Sequence, residues 1–412
     1  MAFCKQFKSG LKLVVHKMEG IFSVSMGIMV GVGSVNENQL NNGISHFIEH
    51  VTFKGTPKRT SNQINEESEF LGSRINAYTS KEVTTYYIKS TTEKATDSFE
   101  ILSDMFVNAS YDQVELDKEK GVICEEIAMV EDTPDEVCLD LLSSAFFGNS
   151  GYGKTILGSK DNVNSFTRAD VLNYRKAGYT LDNIVVVFCG NITESLAEKL
   201  VLDYLEGKLE NKKSITQENN TIIYDKKYIN KEIEQAHFAI AYNGVSFYDN
   251  NRYLLNLAST VLGGGMSSRL FSKIREEKGL CYTIYSYPSS YKDCGSFVIY
   301  SGVNPKTCKD AVASVLQEVK KFKQDGITGQ EFLKAKNQYL ASLIMSQESN
   351  VSLMSVFAKY LLLTGEVYDF DKAIKDIESI TYKQIQSFIK DDLDLENFAF
   401  SLVSPNLDLS VL

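Results

Sequence analysis

The sequence predicts an α+β protein built from two related domains, each a mostly antiparallel sheet packed with helices. Three observations carry that expectation. The chain has 412 residues, and chains longer than about 250–300 residues usually split into more than one domain. Strand-like runs rich in β-branched and aromatic residues are interspersed with runs of helical period. Finally, a shift of 214 residues lays Ser165–Asn183 on Ser379–Asn397 without a gap. Ser165, Thr167, Lys176, Leu181 and Asn183 then meet identical residues at Ser379, Thr381, Lys390, Leu395 and Asn397. Val171 meets Ile385, and Tyr174 meets Phe388. Each copy reads as a helix followed by a strand at the end of its half, so internal duplication is expected.

Taken in order, Leu11–Lys17 and Phe22–Gly33 read as strands. The loop Ser34–Gly43 is rich in Asn and Gly, and a helix pattern runs from about Ser45 to Lys54. Gly55 and Pro57 should end it, with Gly55 as a left-handed cap. A second helix is expected over Asn62–Leu71, strands over Ile75–Ser80 and Thr84–Ser90, and helices over Thr92–Ser110 and Glu115–Val130. Glu206–Thr221 is charged, Asn-rich and poor in apolar residues, which is linker composition. The expected division is therefore 1–205, a linker over 206–225, and 226–412.

Hydrophobic residues make up 43% of the chain and charged residues 23%, enough apolar material for two cores. A net charge of −10 leaves no basic footprint for nucleic acid and weakens any case for an anionic membrane surface. The cysteines number seven, an odd count with no CxxC pair, which argues for a reducing compartment rather than a disulfide framework. The apolar stretch Ile21–Gly33 is too short to span a bilayer. A cytoplasmic location is expected.

Only four histidines occur: His16, His46, His50 and His237. Two fall in His46-Phe47-Ile48-Glu49-His50, and positions i and i+4 share a helix face, so both imidazoles can reach one cation. Glu49 lies at the edge of that face, where a base is needed to take a proton from the attacking water. Zinc accepts imidazole and carboxylate ligands in a tetrahedral site with one open position. His237 lies in a strand-like run, Gln235–Tyr242, and reads as a packed strand residue.

HxxEH is the inverted zinc motif. It resembles that of the pitrilysin, insulysin and mitochondrial processing peptidase family, and most closely the short bacterial and mitochondrial processing-peptidase branch. The family's third ligand is a glutamate far downstream, and at the family's spacing, 76 residues after His50, stands Glu126. Glu119 and Glu126 are seven apart and project from one helix face. The resemblance gives Glu119 a supporting role at the site, whereas Glu125 reads as solvated surface. Further similar segments are Asn42–Gly55, Asn76–Thr79, Glu131–Pro134, Leu262–Phe271 and Arg275–Tyr282, so the resemblance covers essentially the full length.

That resemblance implies a zinc-dependent endopeptidase with one Zn2+ per chain and with peptides or unfolded polypeptides as substrates. Glu49 would be the general base. Arg275 and Tyr282 would reach the active site and bind the substrate backbone, as donors to a carbonyl oxygen that gains charge. The substrate would lie extended beside Asn76, Ala77, Tyr78 and Thr79, adding a strand. Gly263, Gly264 and Gly265 would form a flexible loop lining a substrate chamber between two domains. Short members are commonly dimers, so a homodimer is expected.

Two other readings compete. Gly148-Asn149-Ser150-Gly151-Tyr152-Gly153-Lys154-Thr155 fits GxxxxGK[ST] at every position. A phosphate loop joins a strand to a helix, but Val137–Phe147 reads as an amphipathic helix and no long helix starts at Thr155. The second alternative is a catalytically silent subunit or scaffold that keeps the fold. All four motif positions are intact here, which disfavours it.

Overall fold

The computed structural model describes residues 2–217 and 220–405. Residues 218 and 219 of the expected linker, and 406–412 at the end of the expected second domain, lie outside the described residues. The first sheet is formed by β1 (Phe3–Gln6), β2 (Lys12–Lys17), β3 (Ser23–Val30), β4 (Arg74–Thr79), β5 (Thr84–Thr91) and β6 (Ile184–Gly190). Its order is β1-β2-β6-β3-β5-β4, antiparallel throughout except for the parallel pair β2–β6. The second sheet holds β7 (Lys226–Asn230), β8 (Ala236–Asn243), β9 (Cys281–Ser290), β10 (Gly295–Val303) and β11 (Phe398–Ser404). Its order is β7-β11-β8-β10-β9, again antiparallel except for one parallel pair, β7–β11.

The second sheet repeats β2-β6-β3-β5-β4 strand for strand, in the same relative senses. The repeated segment is its clearest trace. β6 and β11 share the offset found in the sequence, as do the helix Arg168–Gly178 and the helical stretch Tyr382–Asp392. Thr167 and Thr381 cap the two helices alike. Each hydroxyl accepts from the backbone N–H three residues on, Asp170 or Gln384, whose side chain accepts in return from the capping residue's N–H. The second copy departs from the first in its last turn, Phe388–Asp392, which is π-helical.

The chain forms two compact units. One combines Met1–Ile127, Lys154–Asn219 and Met345–Asp369; the other combines Ala128–Gly153, Asn220–Ile344 and Phe370–Leu412. Each unit thus takes a segment from the other half of the sequence. The helix Pro134–Phe147 packs on β8 and β11 of the second sheet, and the helix Asn350–Thr364 packs on β3 and β6 of the first. The latter explains why β3 is buried almost throughout rather than on alternate residues, because one face meets this helix and the other, with Val24, Met26, Ile28 and Val30, joins the first core. Gly27, in mid-strand, is where that helix comes nearest: a Cβ there would meet Met354 Sδ at 2.6 Å.

Much of the stretch read as a linker is anchored. Leu209 and Ile215 pack on the first core, and Leu181 N–H donates to Glu210 O at 2.8 Å. Ile223 N–H and Asp225 N–H donate to Phe146 O and Ala145 O in the second unit. Two scattered apolar side chains are enough to hold a polar segment down, which composition averages hide. Strands β1 and β7 were also not anticipated; both are short and at most half-buried. No helix of the described residues is long and apolar enough to cross a membrane.

Candidate metal centre

The site is built on the helix Ile44–Thr52. Ile44, Phe47, Ile48 and Val51 recur at helical spacing and are buried in the first core, Phe47 against Phe166 with ring centroids 5.4 Å apart. That stripe directs His46, Glu49 and His50 to the opposite face. The helix ends at Thr52, earlier than the sequence suggested. Gly55 is not its cap: at φ 120° it enters a tight turn closed by Thr56 N–H donating to Arg59 O at 2.7 Å.

At the start of the helix, Gly43 has φ +99°, and a Cβ there would meet Leu157 O at 2.5 Å. The free N–H groups of the first turn find a carboxylate. Glu37 Oε2 accepts from Gly43 N–H at 2.7 Å, and Glu37 Oε1 from Ser45 N–H at 2.9 Å. Asn42 Nδ2 donates to Glu37 Oε2 at 2.9 Å. The Glu37 side chain is wholly buried, and burial raises its pKa against these hydrogen bonds.

A second helix, Gln113–Glu131, completes the cluster. Leu116, Ile123 and Ile127 face the core, and Glu119 is buried beside them. Glu125 is exposed, as expected for a solvated position, whereas Glu126 turns inward. Glu126 Oε2 lies 3.7 Å from His46 Nε2 and 3.4 Å from His50 Nε2. Ligand atoms of His46, His50 and Glu126 all lie within 4.8 Å of one another, which makes this the metal-competent group among the described residues.

The surroundings suit a metal. His50 Nδ1 lies 2.9 Å from Glu119 Oε1, and Lys54 Nζ lies 2.6 Å from Glu119 Oε2. In the neutral ring, a carboxylate on Nδ1 favours the tautomer that carries its proton there and leaves Nε2, on the side of Glu126, as the nitrogen with the lone pair. Burial works against a charge on His50, but the Glu119 hydrogen bond and the charges of Glu126 and Glu49 outweigh it and raise its pKa. Burial, with the neighbouring His50 charge, lowers His46 to about 3, so that ring is neutral and able to donate its lone pair. Burial also opposes the charge of Glu119, but hydrogen bonds from His50 and Lys54 bring its pKa below the usual value. Burial raises the pKa of Glu49, partly offset by Thr79 Oγ1, which donates to Glu49 Oε2 at 2.5 Å.

Thr79 ends β4, the outermost strand of the first sheet. Arg74, Asn76 and Tyr78 are exposed along β4, while Ile75, Ala77 and Thr79 are half-buried. The first sheet thus ends in an outer edge strand whose last residue touches Glu49.

Within the second unit the structure brings Arg275 and Tyr282 together. The guanidinium of Arg275, on the π-helical turn Phe271–Glu277, lies 4.9 Å from the Tyr282 ring centroid, and Tyr282 is 74% exposed. Gly264 and Gly265 are exposed, whereas Gly263 differs from the loop reading. It is the buried last residue of the helix Arg252–Gly263, where a Cβ would meet Ser286 N at 2.5 Å. His237 is half-buried on β8, with Nδ1 2.7 Å from Tyr300 Oη, as a packed strand residue should be. The GxxxxGK[ST] segment follows the helix Pro134–Phe147 rather than a strand, and the next helix begins only at Lys160. Its lysine, Lys154, donates to Glu37 O at 2.7 Å.

Glu37 and Lys54 were not singled out from the sequence, and Thr79 entered only as the end of the substrate segment Asn76–Thr79, not as a partner of Glu49. Lys54 stands four residues after His50, a spacing that pairs helical neighbours. Glu37 is the one charged residue in Ser34–Gly43.

Comparison with known proteins bears on this geometry. A family model described as Insulinase (Peptidase family M16) matches residues 13–160, and one described as Peptidase M16 inactive domain matches residues 165–339. The chain belongs to the M16 peptidase family. The uncharacterized zinc protease YmxG of Bacillus subtilis is 36% identical over 97% of this chain and 97% of its own. An uncharacterized zinc protease of Streptomyces coelicolor is 31% identical over 93% of this chain and 85% of its own. Among solved structures, a Pseudomonas fluorescens protein described as a peptidase M16 inactive domain superposes with a TM-score of 0.91 at 16% identity, covering 98% of each chain. A Helicobacter pylori protease gives 0.90 at 22% identity, covering 98% of this chain and 99% of that one. At these identities the two structures speak for the α+β fold alone.

Proposed function

We propose that this chain is a zinc-dependent endopeptidase acting on extended or unfolded peptides, with one zinc ion held by His46, His50 and Glu126. The observation that carries this reading is the convergence of two imidazole nitrogens and a carboxylate oxygen within 4.8 Å, with Glu49 on the same helix. The donor set fits: two histidines and a carboxylate leave one position of a tetrahedral zinc site open. The names of the zinc protease relatives support the same reading.

A bound zinc ion supplies Lewis-acid polarisation of a carbonyl and makes water more acidic. Glu49 takes the proton of the attacking water and passes it to the leaving amine. Thr79 holds that carboxylate by its hydroxyl. Glu119 supports the site by orienting His50. The peptide adds along β4, at Asn76, Ala77 and Tyr78, so that main-chain hydrogen bonds give affinity with loose side-chain demands. Arg275 and Tyr282 serve the substrate carbonyl as it gains charge. We further propose a cytoplasmic homodimer.

The test is cleavage of a peptide library by the wild type and by Glu49→Gln, with zinc content measured for both. The wild type should cut, and the variant should keep zinc and lose turnover. A zinc-loaded wild type that cuts nothing would sink the reading and leave a silent subunit in its place.

A further inference from the structure

We infer that Glu37 is a positioning residue for the metal centre: its buried carboxylate fixes the first turn of the helix that carries His46, Glu49 and His50. This rests on the zinc reading above. Both carboxylate oxygens are engaged, Oε2 with Gly43 N–H at 2.7 Å and Asn42 Nδ2 at 2.9 Å, and Oε1 with Ser45 N–H at 2.9 Å. Ser45 immediately precedes His46, so the last of these bonds ends one residue from a ligand. The side chain is fully buried, and an anion at a helix N-terminus is favoured by the helix dipole. The helix has no side-chain cap of its own, because the capping position is Gly43.

Glu37 is also tied to the other side of the site. Val35 N–H donates to Lys81 O at 2.8 Å, and Ser34 N–H to Ser80 O at 3.3 Å. These bonds fasten the Glu37 loop to the turn that follows Thr79, the residue bonded to Glu49. The backbone oxygen of Glu37 accepts from Lys154 Nζ at 2.7 Å, and Lys81 Nζ in turn donates to Lys154 O. Asn42 Nδ2 also donates to Thr155 O at 2.8 Å. The metal helix and Lys154 therefore meet at Glu37, and the turn after β4 is bonded to the same loop at Ser34 and Val35. Lys154 and Thr155, which in sequence suggest a phosphate loop, are struts of this junction. A helix that shifts or frays at its first turn carries His46 away from Glu126, which belongs to a different helix.

The test uses the full-length chain with Zn2+ as the only probe. Zinc affinity is measured by competition with a chromophoric chelator for the wild type, Glu37→Gln and Glu37→Ala, with circular dichroism confirming the fold. Gln keeps the shape and one acceptor oxygen but presents an amide to an N–H donor; Ala removes both acceptors. Zinc affinity should fall about 10-fold in Glu37→Gln and about 100-fold in Glu37→Ala, the range found when residues supporting metal ligands are replaced. If Glu37→Ala does not fold, Glu37→Gln decides alone. Folded variants that bind zinc within about twofold of the wild type, whatever their melting temperature, would overturn the inference and leave Glu37 as a structural cap. A wild type that binds no zinc would instead overturn the zinc reading itself.

Discussion

Replacing Glu119 by Gln tests whether this residue supports the metal or takes part in the reaction. The carboxylate is buried, 2.9 Å from His50 Nδ1 and 2.6 Å from Lys54 Nζ. A hydrogen bond to a charged group contributes about 1.5–3 kcal/mol. Gln retains one acceptor oxygen, so it can serve His50 or Lys54 but not both, and its amide cannot stabilise Lys54. If the loss falls on His50, the ring is freed to turn and Nε2 is no longer held toward Glu126. The expected loss of zinc affinity is about 10- to 100-fold, or about 1.4–2.8 kcal/mol. Chelator competition measures it directly. Peptide turnover at saturating zinc then separates the two roles: a supporting residue should leave kcat within a few-fold of the wild type once the site is filled. Unchanged zinc affinity would refute the support. A zinc-saturated variant slowed more than about 100-fold would move Glu119 into the chemistry.

His46→Ala, His50→Ala and Glu126→Ala should each lose metal and activity together, since three protein ligands leave no redundancy; full zinc in Glu126→Ala, by metal analysis, would remove it from the ligand set. Arg275→Ala and Tyr282→Phe should lower kcat with zinc content unchanged, as steady-state kinetics beside metal analysis will report. Phe47→Ala, at a fully buried ring under the metal helix, should cost about 3–5 kcal/mol in urea unfolding. Glu331 is opposed by burial, yet bonds from Arg269 at 2.7 and 2.8 Å and from Thr328 hold it at about 2 rather than its ordinary 4.5. A depressed carboxylate stabilises the fold above about pH 4.5 and ceases to do so as pH falls toward 2. Arg269→Ala should therefore lower stability at pH 7 and flatten its decline below pH 4.5; parallel stability curves for the two proteins would show that the pair is inert.

Much of the local structure could be read from residue order. Strands predicted over Leu11–Lys17, Ile75–Ser80 and Thr84–Ser90 differ from β2, β4 and β5 by at most one residue at each end. The misses have physical causes. β1 has four residues, too few for a periodic signal. The helix Ile44–Thr52 ends before Gly55 because the chain turns onto Arg59, a contact that no cap rule anticipates. The duplication was legible in sequence where a capped helix leads into a central strand; the repeat of the whole strand order shows only in the two sheets. At the site, His46 and His50 were readable because four residues along a helix is a local distance.

The sequence by itself determined the helix that presents His46, Glu49 and His50, the offset of the repeat, and the strands and helices that obey a short period. These follow from covalent neighbours and from the spacing of apolar side chains along one element. Only the tertiary structure decided what Glu119 touches: its two carboxylate oxygens meet His50 and Lys54. It also decided that Glu37 caps the metal helix, that Thr79 bonds to Glu49, and that Asn350–Thr364 packs on the first sheet. Each of these contacts joins residues of different elements, brought together by the burial of apolar faces elsewhere. No local pattern encodes such a distance.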